Sequence, residues 1–191
     1  SLYVGDIFAK MVIGNLVLPS AVLMTRARLE CVGTFDESVQ VAGEDFDFFL
    51  RTCREGTVAF ADVPSVRYQI GRRDQLTHPS NALHLARNYV KTMDAAIARD
   101  PQRIDLSPAV VRAARAYGHG WIARAYLDSG NSPAARPHVR RALQLRPTDR
   151  KTLGLAALAL LPGPVGPQTL ALARRLRGLA RRHLAPASTS I

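Results

Sequence analysis

Apolar positions recur along this chain with two different periods, and the change falls near residue 79. Before it, short runs rich in β-branched residues alternate with turn signals. Leu16–Leu23, Val58–Ala61 and Val66–Ile70 are predicted to be strands, the first placed at an edge or bend by Pro19. Between them, Arg26–Cys31 is expected to form a short helix stopped by Gly33 in a left-handed C-cap. A second helix is expected over Phe46–Cys53, where Phe46, Phe49, Leu50 and Cys53 recur at i, i+3, i+4 and i+7. Glu44 and Asp45 fall at its N-terminal end, where the helix dipole favours carboxylates. This first part is expected to be mixed α/β.

Beyond Pro79 the period is helical. Asn81–Arg99 carries Leu83, Ala86, Val90, Met93 and Ile97 in one stripe and ends at Asp100-Pro101. Pro108–Asp128 follows, stopped by Gly130-Asn131. Ser132 and Pro133 supply an N-cap and a first-turn proline for Ala134–Leu145, although Pro137 allows a start one turn later. Lys151–Leu161 comes next, then the breaker Pro162-Gly163-Pro164, then Thr169–Leu184 and a frayed tail from Pro186. Over about 116–147, Ala123, Tyr126, Leu127, Gly130, Ala135, Ala142 and Pro147 resemble the spacing of one tetratricopeptide repeat. A second repeat from Arg150 fails at Pro162, so an array of three or more is not expected.

Composition narrows the class. With 47% hydrophobic and 21% charged residues the chain is globular rather than disordered, and 6% aromatic content predicts cores of Leu, Ala and Val. Two cysteines, Cys31 and Cys53, are too few for a disulfide scaffold and are expected to be reduced core thiols. Lys and Arg number 11 against 12 Asp and Glu in residues 1–100, and 15 against 3 in residues 101–191. The net charge of +11 therefore resides entirely in the second half. A basic half points to an anionic partner, but no aromatic residues interleave the arginines, which disfavours nucleic acid. A solvated arginine-rich surface is the simpler reading, Arg outnumbering Lys 23 to 3.

Thr152–Ala173 holds 22 residues without a charge, yet three prolines and three glycines break it into short helices rather than a membrane span. Thr169–Leu184 sets Leu172, Leu176, Leu179 and Ala180 apart from Arg174, Arg175, Arg177, Arg181 and Arg182. A peripheral contact with an anionic membrane and a capping helix with a solvated basic face fit that pattern equally. No phosphate loop, His-Glu-x-x-His or Cys-His zinc spacing occurs, and His119 is expected to be half-buried in a helix, with His183 in the basic tail.

The chemistry concentrates in residues 15–68. Gly14-Asn15, then Ser20 to Arg26, then Val32-Gly33-Thr34-Phe35-Asp36-Glu37-Ser38, then Gly43-Glu44-Asp45-Phe46-Asp47-Phe48-Phe49-Leu50-Arg51 and Val66-Arg67-Tyr68 occur in that order. As a set these resemble the acceptor-side half of family 2 glycosyltransferases, inverting sugar transferases of the GT-A fold. The resemblance implies an α/β fold class for residues 1–78, the C-terminal half of a GT-A-type domain, with an all-α extension over 79–191.

Inverting transfer needs one base to take the proton of the acceptor hydroxyl as it attacks the anomeric carbon. The resemblance assigns that base to Asp45, supported by Glu44, with Asn15, Ser20, Asp47 and Arg51 shaping the acceptor cleft. Glu44 raises and the helix start lowers the Asp45 pKa, so the sequence alone sets no net direction. Asp45-Phe46-Asp47 spells the family's metal signature, but residues two apart on a helix diverge by about 200° and are poorly placed to chelate one ion.

The implied divalent metal, manganese or magnesium, would be held mainly by a nucleotide-binding half not found in these residues. The chain is accordingly expected to be the C-terminal part of a longer enzyme and inactive alone. The family's Arg-x-His after its tyrosine is replaced by Gln69-Ile70-Gly71, leaving Arg72, Arg73 or His78 as weak substitutes. The expected partners are a nucleotide-sugar donor and a glycan or lipid-linked acceptor. The expected location is cytoplasmic or peripheral at the inner membrane face. A rival reading is a non-catalytic helical interaction or membrane-surface module.

Overall fold

The computed structural model describes residues 1–39, 41–67, 69 and 75–161. Tyr68, Ile70, Arg72, Arg73, the Pro162-Gly163-Pro164 breaker, the Thr169–Leu184 helix, the tail from Pro186 and His183 lie outside the described residues. Helices predominate: α1 (Phe8–Val12), α2 (Arg26–Val32), α3 (Glu44–Arg54), α4 (Ala82–Arg99), α5 (Pro108–Asp128), α6 (Ser132–Leu145) and α7 (Arg150–Leu160). Two strands, β1 (Leu2–Gly5) and β2 (Val58–Ala61), pair antiparallel with Leu2 opposite Ala61 and Gly5 opposite Val58. Both α and β elements are thus present, in proportions that leave the sheet a minor part. The chain divides into two compact units, Ser1–Gly118 and His119–Ile191.

In the first unit α3 is the centre, packing against α1, α2 and α4. It buries the four predicted positions and also Phe48 and Thr52. Aromatic contacts hold this core: Phe46 stacks on Tyr89 at 5.7 Å, Phe35 on Phe48 at 4.4 Å, and Phe48 meets Phe49 edge-on at 5.3 Å. The expectation of a Leu, Ala and Val core therefore fails here. Three phenylalanines fall within four positions of α3 and draw Phe35 and Tyr89 onto them, so overall composition understates the local aromatic share. On α4 the fully buried stripe runs through Ala86 and Met93 with Tyr89 between them. Cys53 is buried, its thiol pushed up to about 11 by loss of solvation, but Cys31 is exposed and so is not a core thiol.

Leu16–Leu23 forms no strand. Pro19, with φ fixed and no N–H to donate, opens a 3-10 turn over Pro19–Ala21, and Leu16, Leu18 and Leu23 stay exposed. Val66 and Arg67 lie outside any strand. The strand β1 and the five-residue α1 are too short to register as a period. Phe8, Met11 and Val12 of α1 are nevertheless buried in the core, leaving Lys10 exposed. Gly33 takes the positive φ expected of it (79°), but with ψ at −156° rather than in the left-handed helical region.

The second unit is a set of short-linked helices. Its core joins Ala123 and Leu127 of α5 to Ala135 and Val139 of α6 and Ala159 of α7. Gly130 at φ 78° makes the α5–α6 turn, its N–H bonding Leu127 O while Asn131 N–H bonds Tyr126 O, a Schellman closure. Asn131, not Ser132, caps α6 by accepting the Ala134 N–H at 3.1 Å. The helix keeps its early start, with Pro137 inside it. Asp149 caps α7 by accepting from Thr152 N–H at 2.8 Å. No described helix is long and apolar enough to cross a membrane.

Two glycines test this packing in opposite directions. A methyl on Gly118 would sit 2.5 Å from Val90 Cγ2 and 3.1 Å from the Tyr89 ring, whereas one on Gly154 meets nothing within 4 Å. Gly118→Ala is expected to lower unfolding free energy by about 1–3 kcal/mol through overpacking. Gly154→Ala is expected to raise it by up to about 1 kcal/mol through helix propensity, both read by urea unfolding.

Candidate functional site

The helix start at Gly43 is built against steric preference. Gly43 takes φ 101° as the N-cap, and Val41 two residues before it holds a positive φ of 76°, rare for a β-branched residue. No side chain caps α3; Glu44, Asp45 and Asp47 crowd its first turn instead, the end where the helix dipole favours carboxylates. At the other end Arg28 Nη1 donates to Thr52 O at 2.8 Å and Arg103 Nη1 to Arg54 O at 2.6 Å. Each end of α3 thus carries the charge its unpaired backbone groups call for.

Asp45 is half-buried. Its Oδ2 accepts from Asn15 Nδ2 at 3.2 Å and its Oδ1 from the Phe46 N–H at 2.7 Å, while the Asn15 Oδ1 accepts the Val17 N–H and orders its own turn. Burial raises the Asp45 pKa above the ordinary carboxylate value. The Phe46 N–H works against this and the Glu44 charge adds to it. The sequence left that direction open; partial burial decides it. The contrast with other aspartates is informative: hydrogen bonds hold Asp36 (from Ser38), Asp100 (from Arg54) and Asp149 (from Thr152) below the usual value. Among the described residues with a shifted carboxyl, Asp45 alone moves upward.

The predicted site residues separate into two groups. Asn15 and Asp45 are brought together across 30 positions of sequence, with Glu44 beside them and without a hydrogen-bond or ion-pair partner among the described residues. Asp47 and Arg51 form a different cluster. Arg51 Nε pairs with Asp47 at 2.9 Å, and its two terminal nitrogens donate to Val32 O at 2.7 Å and Thr34 O at 2.9 Å. With one hydrogen bond from each of its three nitrogens, that fork braces the end of α2 and the loop after it, so Arg51 shapes the site through that segment. Ser20 lies exposed on the Pro19–Ala21 turn, with no hydrogen bond to the Asn15–Asp45 pair. His78 is engaged locally, Nδ1 within 2.9 Å of Ser80 Oγ.

With Asp45 turned to Asn15 and Asp47 to Arg51, the two carboxylates do not converge, and the described residues contain no cluster of three potential metal ligands. These residues do not fit a divalent metal site on their own. No family model, curated protein or solved structure matches the chain.

Two residues went unmarked in the sequence reading. Asn88 Nδ2 donates to Ala42 O at 2.6 Å, and Tyr89 OH donates to Ile13 O at 2.8 Å. Asparagine in a helix interior is a poor helix former, and that was the available signal.

Arg51→Lys keeps the charge but loses the planar fork. It is expected to cost about 1–3 kcal/mol in chemical unfolding, because two loop carbonyls lose charge-assisted bonds. Asp47→Ala is expected to cost under about 1 kcal/mol, its ion pair being partly exposed.

Proposed function

We propose that residues 1–78 carry the acceptor side of an inverting family 2 glycosyltransferase with the GT-A fold, acting on a nucleotide-sugar donor and a glycan or lipid-linked hydroxyl. The observation that carries this reading is the Asp45 carboxylate, half-buried at a helix start, hydrogen-bonded to Asn15 and raised in pKa by its burial. In the reaction, the acceptor oxygen attacks the anomeric carbon as the bond to the nucleoside diphosphate breaks on the opposite face. Asp45 receives the hydroxyl proton. Asn15 Nδ2 and the Phe46 N–H fix the carboxylate plane and leave lone pairs on both oxygens for that proton. A pKa lifted toward the working pH makes a carboxylate a stronger base while it stays ionised. The divalent metal and the donor belong, on this reading, to a nucleotide-binding half beyond these residues. The exposed apolar side chains of the β1–β2 ribbon, Leu2 at 69% and Phe60 at 59% exposure, support it as surface that such a half would cover.

A second reading rests on the second unit. Val139, Leu143, Ala156, Ala159 and Leu160 line a groove between α6 and α7, with Arg136 and Arg140 at its rim. Apolar floor and cationic rim together suit an anionic membrane surface. Salt-sensitive binding to anionic vesicles, unchanged by Asp45→Asn, is its expected signature.

For the transferase, Asp45→Asn in the full-length enzyme is expected to lower the transfer rate by about 10²–10⁴-fold. Its melting temperature at neutral pH should hold or rise, because a half-buried charge is removed. Transfer by the unsubstituted enzyme should climb with pH through a midpoint above the usual carboxylate value, since only ionised Asp45 accepts the proton. Retained transfer in a folded Asp45→Asn enzyme overturns the assignment.

A further inference from the structure

Consecutive residues on a helix point about 100° apart, so a dipeptide can reach two neighbouring segments at once. Asn88-Tyr89 does this from α4. Tyr89 holds Ile13 O, two residues before Asn15; Asn88 holds Ala42 O, three residues before Asp45. The two carbonyls so held belong to the segments that lead directly into Asn15 and into Asp45 at the start of α3. We propose that Asn88 and Tyr89 are positioning residues that set the distance between Asn15 and Asp45, an inference that rests on reading Asp45 as the base.

The rest of the packing fits this role. Ala86 and Met93 are fully buried on either side of Tyr89, so the inner face of α4 is anchored in the core and serves as a fixed reference. The Tyr89 ring stacks on Phe46, the residue next to Asp45, and Gly118 of α5 lets the helix backbone come close to that ring. Asn88 approaches Gly43 so closely that a methyl there would lie 3.1 Å from Asn88 Cβ. Glycine at 43 thus serves the positive φ and the close approach together. The strained Val41 lies beside Ala42, whose carbonyl Asn88 holds, so this bond helps keep an unfavourable backbone in place. Burial pushes the Tyr89 phenol up to about 12, which keeps its O–H available as a donor across the working pH range.

The test follows the Asn15 side-chain amide and the Asp45 carboxylate by NMR across an acid titration of the protein. In the unsubstituted chain the Asn15 amide resonances should titrate in step with Asp45, and Asp45→Asn should abolish that response. Tyr89→Phe, which keeps the stacked ring and removes one hydroxyl, and Asn88→Ala should each lose most of the Asn15 amplitude. Circular dichroism should show the fold retained; if Asn88→Ala unfolds, Tyr89→Phe decides. Full amplitude in folded Tyr89→Phe, or no amplitude in the unsubstituted protein, overturns the proposal. The amplitude needs no turnover. If Asp45 is not the base, Asp45→Asn retains transfer while the amplitude pattern stands, so the two failures are told apart.

Discussion

Helix α3 has to bury Phe46, Phe48, Phe49, Leu50 and Cys53 while keeping its first-turn carboxylates in reach of solvent, and the first unit is organised around that demand. Burial on so many sides requires partners on as many sides, which α1, α2 and α4 supply. Such a helix has little freedom to rotate or slide, because any movement would open a void beside a phenylalanine. The side chains at its first turn inherit that rigidity. Asp45 is consequently held by a core it is not itself part of.

Charge completes what packing begins. Arg28 and Arg103 satisfy carbonyls at the C-terminal end of α3, and Arg54 pairs with Asp100 beyond α4. Arg51 ties Asp47 to the loop after α2. These guanidinium groups are fixed by more than one acceptor or by a backbone carbonyl, so they work as struts. In the second unit Arg136, Arg140, Arg141 and Arg146 are exposed, with Arg136 Nε donating to Ala159 O at 3.1 Å and Arg141 Nη1 to Gln144 Oε1 at 3.4 Å.

Local signals were legible in the sequence, and long-range ones were not. The span of α5, the strand Val58–Ala61 and the buried face of α3 follow from periods and stop signals that act within a few residues. The failure at Leu16–Leu23 has a physical cause: an apolar run predicts a buried face, but Pro19 turns the chain and leaves Leu16, Leu18 and Leu23 exposed. At the site, Asp45, Glu44 and Asn15 stood out by residue type and order. The separation into an Asn15–Asp45 pair and an Arg51 brace did not, because it depends on which partner each side chain meets across 30 positions for Asn15–Asp45 and 19 and 17 for Arg51 with Val32 O and Thr34 O. Asn88 and Tyr89 were invisible for the same reason, acting on carbonyls 46 and 76 positions away.

Linkage gives the site its cost. A carboxyl whose folded-state pKa is raised binds its proton more tightly in the native chain, so its ionisation subtracts stability as pH climbs through that value. Asp100 and Asp149 behave in the opposite sense, adding stability at neutral pH that is lost only as acid protonates them. A designer seeking stability alone would give Asp45 the same strong donors. That would make it a weaker base, because donors that favour the charged form lower its proton affinity. One amide from Asn15 and one backbone N–H orient the carboxylate without extinguishing its basicity. The instability that remains has to be offset elsewhere, and the aromatic core around α3 with the α4 bonds to Ile13 and Ala42 is placed to offset it.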